Sequence, residues 1–325
     1  MKQDLLININ KHLENVPDGT YISHKIDGNT ETSYKLKMKG KGYSKAYLIF
    51  PGITLAYQYF LGDKIDFHHD ALNTSLEINH CHKGRIGIHM KDNKKVFLGQ
   101  GDMAFQSMDC CADADIIFPL GYYEGIMINI DLIELEKNLP SFFTENVIAS
   151  KLLLEKFCKK AEPIALPSNH RIEHIFCELY DIPKEYQLSY MKLKVLELIL
   201  FLCLLKLDDE TILNPYSSEQ VEIIKEVHKK LTQNLSKRFT IEELSSEFHI
   251  NATTLKNTFK NIYGSPIATY MKKYRINIAS KMLRENDYSI AKISSEVGYE
   301  SQGKFTKAFK ELVFMSPSDY RKQYK

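Results

Sequence analysis

The sequence predicts an α+β chain: an N-terminal β-barrel or sandwich with flanking helices, then an all-α domain built on two helix-turn-helix units. Three observations predict it. Short alternating strands, broken by Gly, Asp and Asn turns, fill the stretch from about Lys45 to Ile130. Helical spacing takes over from about Leu132. Near the C-terminus one supersecondary unit then occurs twice: Leu244-Ser-Ser-Glu247 matches Ile293-Ser-Ser-Glu296 at an offset of 49, and Leu255 and Phe259 match Phe305 and Phe309 at an offset of 50.

Bulk properties bound the reading. At 325 residues the chain has room for two domains and a sizeable core. Hydrophobic residues make up 44% and charged residues 26%, as in ordinary globular proteins. The net charge of +2 hides an asymmetry: from Ser218 onward there are 19 Lys and Arg against 12 Asp and Glu, whereas the remainder has 24 against 29. A basic module behind an acidic one suits binding to a polyanion. Cys81, Cys110, Cys111, Cys158, Cys177 and Cys203 show no CxxC spacing, and no signal sequence opens the chain, so reduced thiols in a cytoplasmic protein are expected. The most apolar run, 198–205, is too short to span a bilayer, and no membrane association is expected.

Residues 1 to about 40 are polar and irregular, with a short helix expected near Leu5 to Leu13. Strands are expected at 46–50, 76–82, 85–90, 95–98, 115–118 and 125–130, each read from alternation or a β-branched run beside a turn. Helices follow over 146–161 and 170–180. The segment 186–207 is apolar almost all round, which predicts burial under the barrel or against a second copy of the chain. The domains divide as 1–213, with helices at about 132–207, and 214–325, with helix-turn-helix units at 239–266 and 288–317. Ser217-x-x-Gln220 and Thr240-x-x-Glu243 are capping boxes, and Asn251 and Ser301 are placed to cap the second helix of each unit. Ile267 to Arg284 reads as a connecting helix with a basic face.

In a helix-turn-helix the second helix enters the major groove and its early residues meet base edges. Two units can reach successive grooves about 34 Å apart, and a connecting helix of roughly 27 Å is a suitable spacer. The candidate base readers are Thr253, Thr254, Lys256 and Asn257 in the first unit, and Gln302, Gly303, Lys304, Thr306 and Lys307 in the second. Lys260, Lys272, Lys273, Arg275 and Lys310 are the candidate phosphate contacts.

The segments 289–302, 305–310 and 315–321 closely resemble the signature of the AraC/XylS family of bacterial transcription regulators, over about residues 217 to 325. One departure is Phe314, which stands where the first unit has Gly264; a bulky residue in a left-handed turn is strained. Segments 77–85 and 98–103 resemble the cupin-like barrel of many such regulators, especially the siderophore-sensing branch. The resemblance implies double-stranded DNA as a partner, a barrel binding a small-molecule effector, a homodimer, with 186–207 as the dimerisation or docking helix, and an activator able to contact RNA polymerase. Effector binding would then change how the barrel and its helices hold the DNA-binding domain, shifting between two arrangements.

The effector class stays open among a siderophore, a metal chelate and an apolar ligand, and no cofactor is expected. His68, His80, His82, His89, Tyr57 and Phe67 are the candidate effector contacts. His80-x-His82 places two imidazoles on one face of a strand. Enzymatic cupins, by resemblance, follow such a pair with a nearby Glu and a later His. This chain has neither, so no catalytic residue or resident metal is expected and the protein is read as a non-enzyme. Two alternatives remain: a metal-dependent cupin-type enzyme with a DNA-binding appendage, and a constitutive DNA-binding protein whose barrel is filled by its own side chains.

Overall fold

The computed structural model describes residues 21–26, 29–35, 40–68, 74–90, 93–108, 113–138, 149–159, 162–207 and 212–325. The chain divides into two compact units, Met1–Ser217 and Ser218–Lys325. The helix expected near Leu5 to Leu13 and the pair Cys110-Cys111 lie outside the described residues.

The strands of the first unit are β1 (Tyr21–Ile26), β2 (Asn29–Lys35), β3 (Gly40–Phe50), β4 (Ile53–Gly62), β5 (Lys64–His68), β6 (Ser75–Gly84), β7 (Ile86–Met90), β8 (Lys94–Leu98), β9 (Met103–Ser107), β10 (Asp113–Ile117), β11 (Tyr122–Asp131), β12 (Ile164–Leu166) and β13 (Tyr216–Ser217). They form an eight-stranded antiparallel sheet, β1-β2-β3-β4-β11-β6-β9-β12, and a five-stranded one, β13-β8-β7-β10-β5. The expected closed barrel is therefore corrected to two open sheets. The chain leaves the larger sheet for the smaller at abrupt corners. One is Gly84, at φ 84°, where an added Cβ would lie 2.3 Å from the Tyr122 carbonyl oxygen. Only glycine permits so sharp a turn against a neighbouring strand.

The larger sheet is covered on both faces. Between the sheets lie Phe60, Ile65, Cys81, Ile86, Ile88, Met90, Val96, Leu98, Phe118 and Tyr123, with the Phe60 ring stacked on Phe118 at 5.1 Å. On the opposite face Tyr47, Leu55, Ile78, Phe105, Ile126 and Ile128 pack against helices. Those helices are α1 (Leu132–Asn138), α2 (Ala149–Leu153, continued by a π-helical turn at Leu154–Cys158), α3 (His170–Cys177, followed by a 3-10 turn at Glu178–Tyr180) and α4 (Gln187–Leu204). The Asn169 side chain caps α3 by accepting from the Arg171 and Ile172 amides. At the C-terminus of α4, Lys156 Nζ donates to the carbonyls of Leu202, Cys203 and Leu205 at 3.2, 2.5 and 2.9 Å. A cation there satisfies the orphan carbonyls and complements the helix dipole.

Helix α4 is only half covered. Met191, Val195, Leu198, Ile199 and Leu202 are buried against the sheet and the neighbouring helices, while Tyr190, Leu193, Leu200 and Leu204 stand exposed, as does Tyr186 just ahead of the helix. The N-terminal stretch expected to be irregular contains the β1–β2 hairpin instead. Ile26 pairs with Asn29 at the end of an antiparallel register that begins at Tyr21 and Tyr34. The strands β12 and β13 were likewise expected as helical flank and linker. Each is too short for period-2 alternation to show.

The second unit has seven helices: α5 (Ser218–Gln233), α6 (Ile241–Glu247), α7 (Ala252–Tyr263), α8 (Ile267–Glu285), α9 (Ile290–Glu296), α10 (Gln302–Val313) and α11 (Pro317–Tyr324). Helix α8 is 19 residues long, or roughly 28 Å. Ile276, Ala279 and Leu283 on its later half join Ile293, Val297, Phe305, Ala308 and Phe309 in one cluster. On its earlier half, Tyr270 packs against Phe259 and Tyr263 of α7 and hydrogen-bonds His228 Nε2 at 2.8 Å.

Candidate nucleic-acid interface

The two helix-turn-helix units are built alike from the residues upward. Thr240 caps α6 in a complete capping box with Glu243, and Ser289 caps α9 through the Lys292 amide. Asn251 accepts from the Thr253 and Thr254 amides at the start of α7, and Ser301 accepts from the Lys304 amide at the start of α10. Both turns pass through a left-handed residue, His249 in the first unit and Gly298 in the second. The second turn then carries one more residue before its cap, which accounts for the step from offset 49 to 50.

One face of each second helix is spent on the core. Leu255, Thr258, Phe259 and Ile262 are buried in α7, and Phe305, Ala308 and Phe309 in α10. The opposite face of α7 exposes Thr253, Lys256, Asn257 and Lys260, with Thr254 half-buried. That of α10 exposes Gln302, Gly303, Lys304, Lys307 and Lys310, with Thr306 half-buried. Gln302, Gly303, Thr306, Lys307 and Lys310, with Glu311, line a shallow open groove along α10. Polar amides and hydroxyls near the helix start, with lysines further along, suit base edges and phosphates respectively.

The remaining cations differ in what already holds them. Lys272 pairs with Glu311 at 2.5 Å and Lys304 with Glu300 at 2.5 Å; both pairs are exposed and cost little to exchange for a phosphate or base. Arg275 is half-buried and donates to the Lys237 carbonyl at 3.0 Å, so it braces the chain ahead of α6. Lys273 is exposed.

Phe314 closes α10 in the left-handed region at φ 62° and ψ 17°, with its ring 90% exposed. Gly264 closes α7 the same way at φ 79°. Nothing in the structure explains a phenyl ring at that position. Phe314→Gly is expected to stabilise the unit by about 1 kcal/mol, read as a higher urea midpoint; a fall would show that the ring packs on something.

Three of the residues expected to contact an effector lie together. Tyr57, His80 and His82 gather around Tyr180, on the face of the larger sheet covered by helices. Tyr57 Oη donates to the Leu179 carbonyl at 2.5 Å, His80 Nδ1 lies 2.9 Å from Tyr180 Oη, and the His82 ring stacks on Tyr180 at 3.8 Å. His80 also stacks on Phe176 at 4.1 Å, and its Nε2 is buried without a partner. Burial first, then neighbouring His82, pushes the His80 imidazole down to about 3, so it is neutral. His89 lies on β7, and Phe67 and His68 on β5, all in the smaller sheet. Tyr180 was missed because its helical context hid its reach back to the strand. Among the described residues no group of three or more His, Cys, Asp or Glu side chains is arranged to hold a metal ion. Nor is any described helix long and apolar enough to cross a membrane.

Residues 244–323 match a family model described as a helix-turn-helix domain. An uncharacterized HTH-type transcriptional regulator of Escherichia coli K12, YdiP, is 36% identical over 121 residues, covering 36% of this chain and 40% of that protein. A putative AraC-like transcription regulator of Streptomyces lividans is 33% identical over 92 residues, 28% of this chain and 30% of its own length. The chain thus spans well under half the length of these relatives. The DNA-binding domain of AdpA, solved in complex with a target DNA, superposes with a TM-score of 0.30 at 24% identity, over 31% of this chain and 91% of that one. The matched segment, its capped and duplicated helix pairs and the relatives named for it agree: the C-terminal unit of this chain is an AraC-type helix-turn-helix domain.

Proposed function

We propose that this chain is a sequence-specific DNA-binding transcription regulator that works in the cytoplasm as a homodimeric activator and reads two successive major grooves. The observation that carries the reading is the pair of helices α7 and α10, each capped alike, each burying an aromatic face and turning a polar, lysine-bearing face outward. Asn257 and Gln302 read bases, and Lys260 and Lys310 hold phosphates. Lys304 reaches a base once Glu300 releases it. Helix α8 sets the distance between the two readers, and its exposed Lys273 meets the backbone between them.

The test uses a duplex enriched from random sequence by the full chain. Asn257→Ala or Gln302→Ala is expected to cost about 1–3 kcal/mol on that duplex and to relax selectivity at one base pair. Equal losses on scrambled DNA would sink the base-reading assignment. Lys260→Ala should instead weaken binding to all sequences and lower the slope of log K against log salt by about 1.

The exposed stripe on α4 supports the dimer. Its positions 190, 193, 197, 200 and 204 follow alternating steps of three and four, the spacing of a coiled-coil seam. Glu197 interrupts the stripe, already held by Lys194 at 3.1 Å. The N-terminal unit responds to a small-molecule effector through the Tyr57, His80, His82 and Tyr180 cluster, whose unpartnered His80 Nε2 is a ready hydrogen-bonding group. A contact to RNA polymerase completes activation. One observation favours a second reading, a constitutive DNA-binding protein: Phe60, Phe118 and Tyr123 stack on one another between the sheets. A panel of ferric siderophores, metal chelates and apolar ligands separates the two. A thermal shift that His80→Phe abolishes supports the effector site, and no shift from any of them supports the constitutive reading.

A further inference from the structure

Gly303 is the second residue of α10, exposed on the helix face turned away from the core. Its backbone is helical, so no left-handed conformation calls for glycine there. A Cβ added to it meets no atom within 4 Å. Glycine is disfavoured in a helix relative to alanine because it surrenders more backbone freedom on folding. The duplicated unit supplies an internal control. At the matching place in α7, also two residues past the cap, stands Thr253, exposed. The helix-turn-helix itself therefore accepts a side chain at this position, and nothing inside the protein accounts for its absence in the second unit.

The bare backbone lies in the groove lined by Gln302, Thr306 and Lys307. A Cα carries no hydrogen-bond donor or acceptor for a base edge. The feature of the major groove that gains from resting on it is the apolar one, the thymine C5-methyl group. We propose that Gly303 is a specificity-determining residue that leaves room for a thymine methyl against the helix backbone. Gln302 and Thr306 then flank the same base step. The inference rests on the DNA-binding reading above and adds which base the second reader selects and why.

The experiment titrates the full chain and Gly303→Ala against three duplexes: one enriched from random sequence by the wild type, the same duplex with its thymines replaced one at a time by deoxyuridine, and a scrambled control. Gly303→Ala is expected to bind the enriched duplex about 10-fold more weakly and the scrambled one unchanged, and to melt at the same temperature or a few degrees higher. One deoxyuridine substitution is expected to restore the variant's binding, because removing the DNA methyl makes room for the protein's. Equal affinity on the enriched duplex, equal loss on the scrambled duplex, a loss that no deoxyuridine relieves, or a lowered melting temperature would each overturn the proposal. If the wild type enriches no sequence at all, the DNA-binding reading falls and takes this inference with it.

Discussion

Gly298→Ala is expected to destabilise the C-terminal unit by about 3 kcal/mol, and the effect has two additive causes. The backbone at Gly298 sits at φ 78°, where an L side chain costs about 1–2 kcal/mol. The new Cβ would also lie 2.1 Å from the Leu235 carbonyl oxygen, a backbone atom that cannot swing aside. Overpacking of that kind costs about 1–3 kcal/mol. Equilibrium urea unfolding of the full chain measures the effect on the transition assigned to residues 218–325. His249 occupies the corresponding turn of the first unit at φ 50°, so His249→Gly is the matched control and should gain about 1 kcal/mol. An alanine at 298 that left the transition within 1 kcal/mol of wild type would show that this turn yields. A large loss would instead mean that the turn is held rigidly against the Leu235 carbonyl.

The second large effect is expected at the exposed stripe of α4. The double variant Leu193→Asp, Leu200→Asp should convert the proposed dimer to a 37.6 kDa monomer, because each carboxylate would have to be buried unpaired in an apolar seam. Both side chains are exposed within the chain, at 65% and 46%, so the monomer's own melting should hardly move. Affinity for a duplex with two half-sites should then fall by about 10²–10⁴, the advantage of a linked second binding event. Sedimentation equilibrium decides the matter directly. A wild-type chain that already sediments as a monomer at micromolar concentration removes α4 from the dimer interface.

The helical half of the molecule was legible because its signals are local. Caps lie within three residues of the groups they satisfy, as Thr240 does from Glu243, and apolar spacing marks the buried face of α7 and α10. The exception within it is Thr258, buried at 1% exposure. A hydroxyl residue reads as surface, and only its match at offset 50, buried Ala308, could have placed it inside.

The sheet half was less legible. Alternation located β6 and β7, yet pairing partners lie far apart in sequence, β4 with β11 and β9 with β12. Strand order follows from long-range hydrogen bonding that no local pattern encodes. The same holds for the candidate effector residues. Period-2 spacing put His80 and His82 on one face, but only packing determined that the face meets Phe176 and Tyr180.

By itself, then, the sequence determined the duplicated helix-turn-helix, its caps, its basic character and the side chains its second helices have to offer, because each follows from spacing within one or two turns of chain. Tertiary structure alone decided that the strands form two open sheets, that the rings of Phe60, Phe118 and Tyr123 stack between them, and that one face of α4 is left uncovered. It also decided that Gly303 stands over empty space. Those properties depend on which distant atoms come within van der Waals reach, and that is settled only when the chain closes on itself.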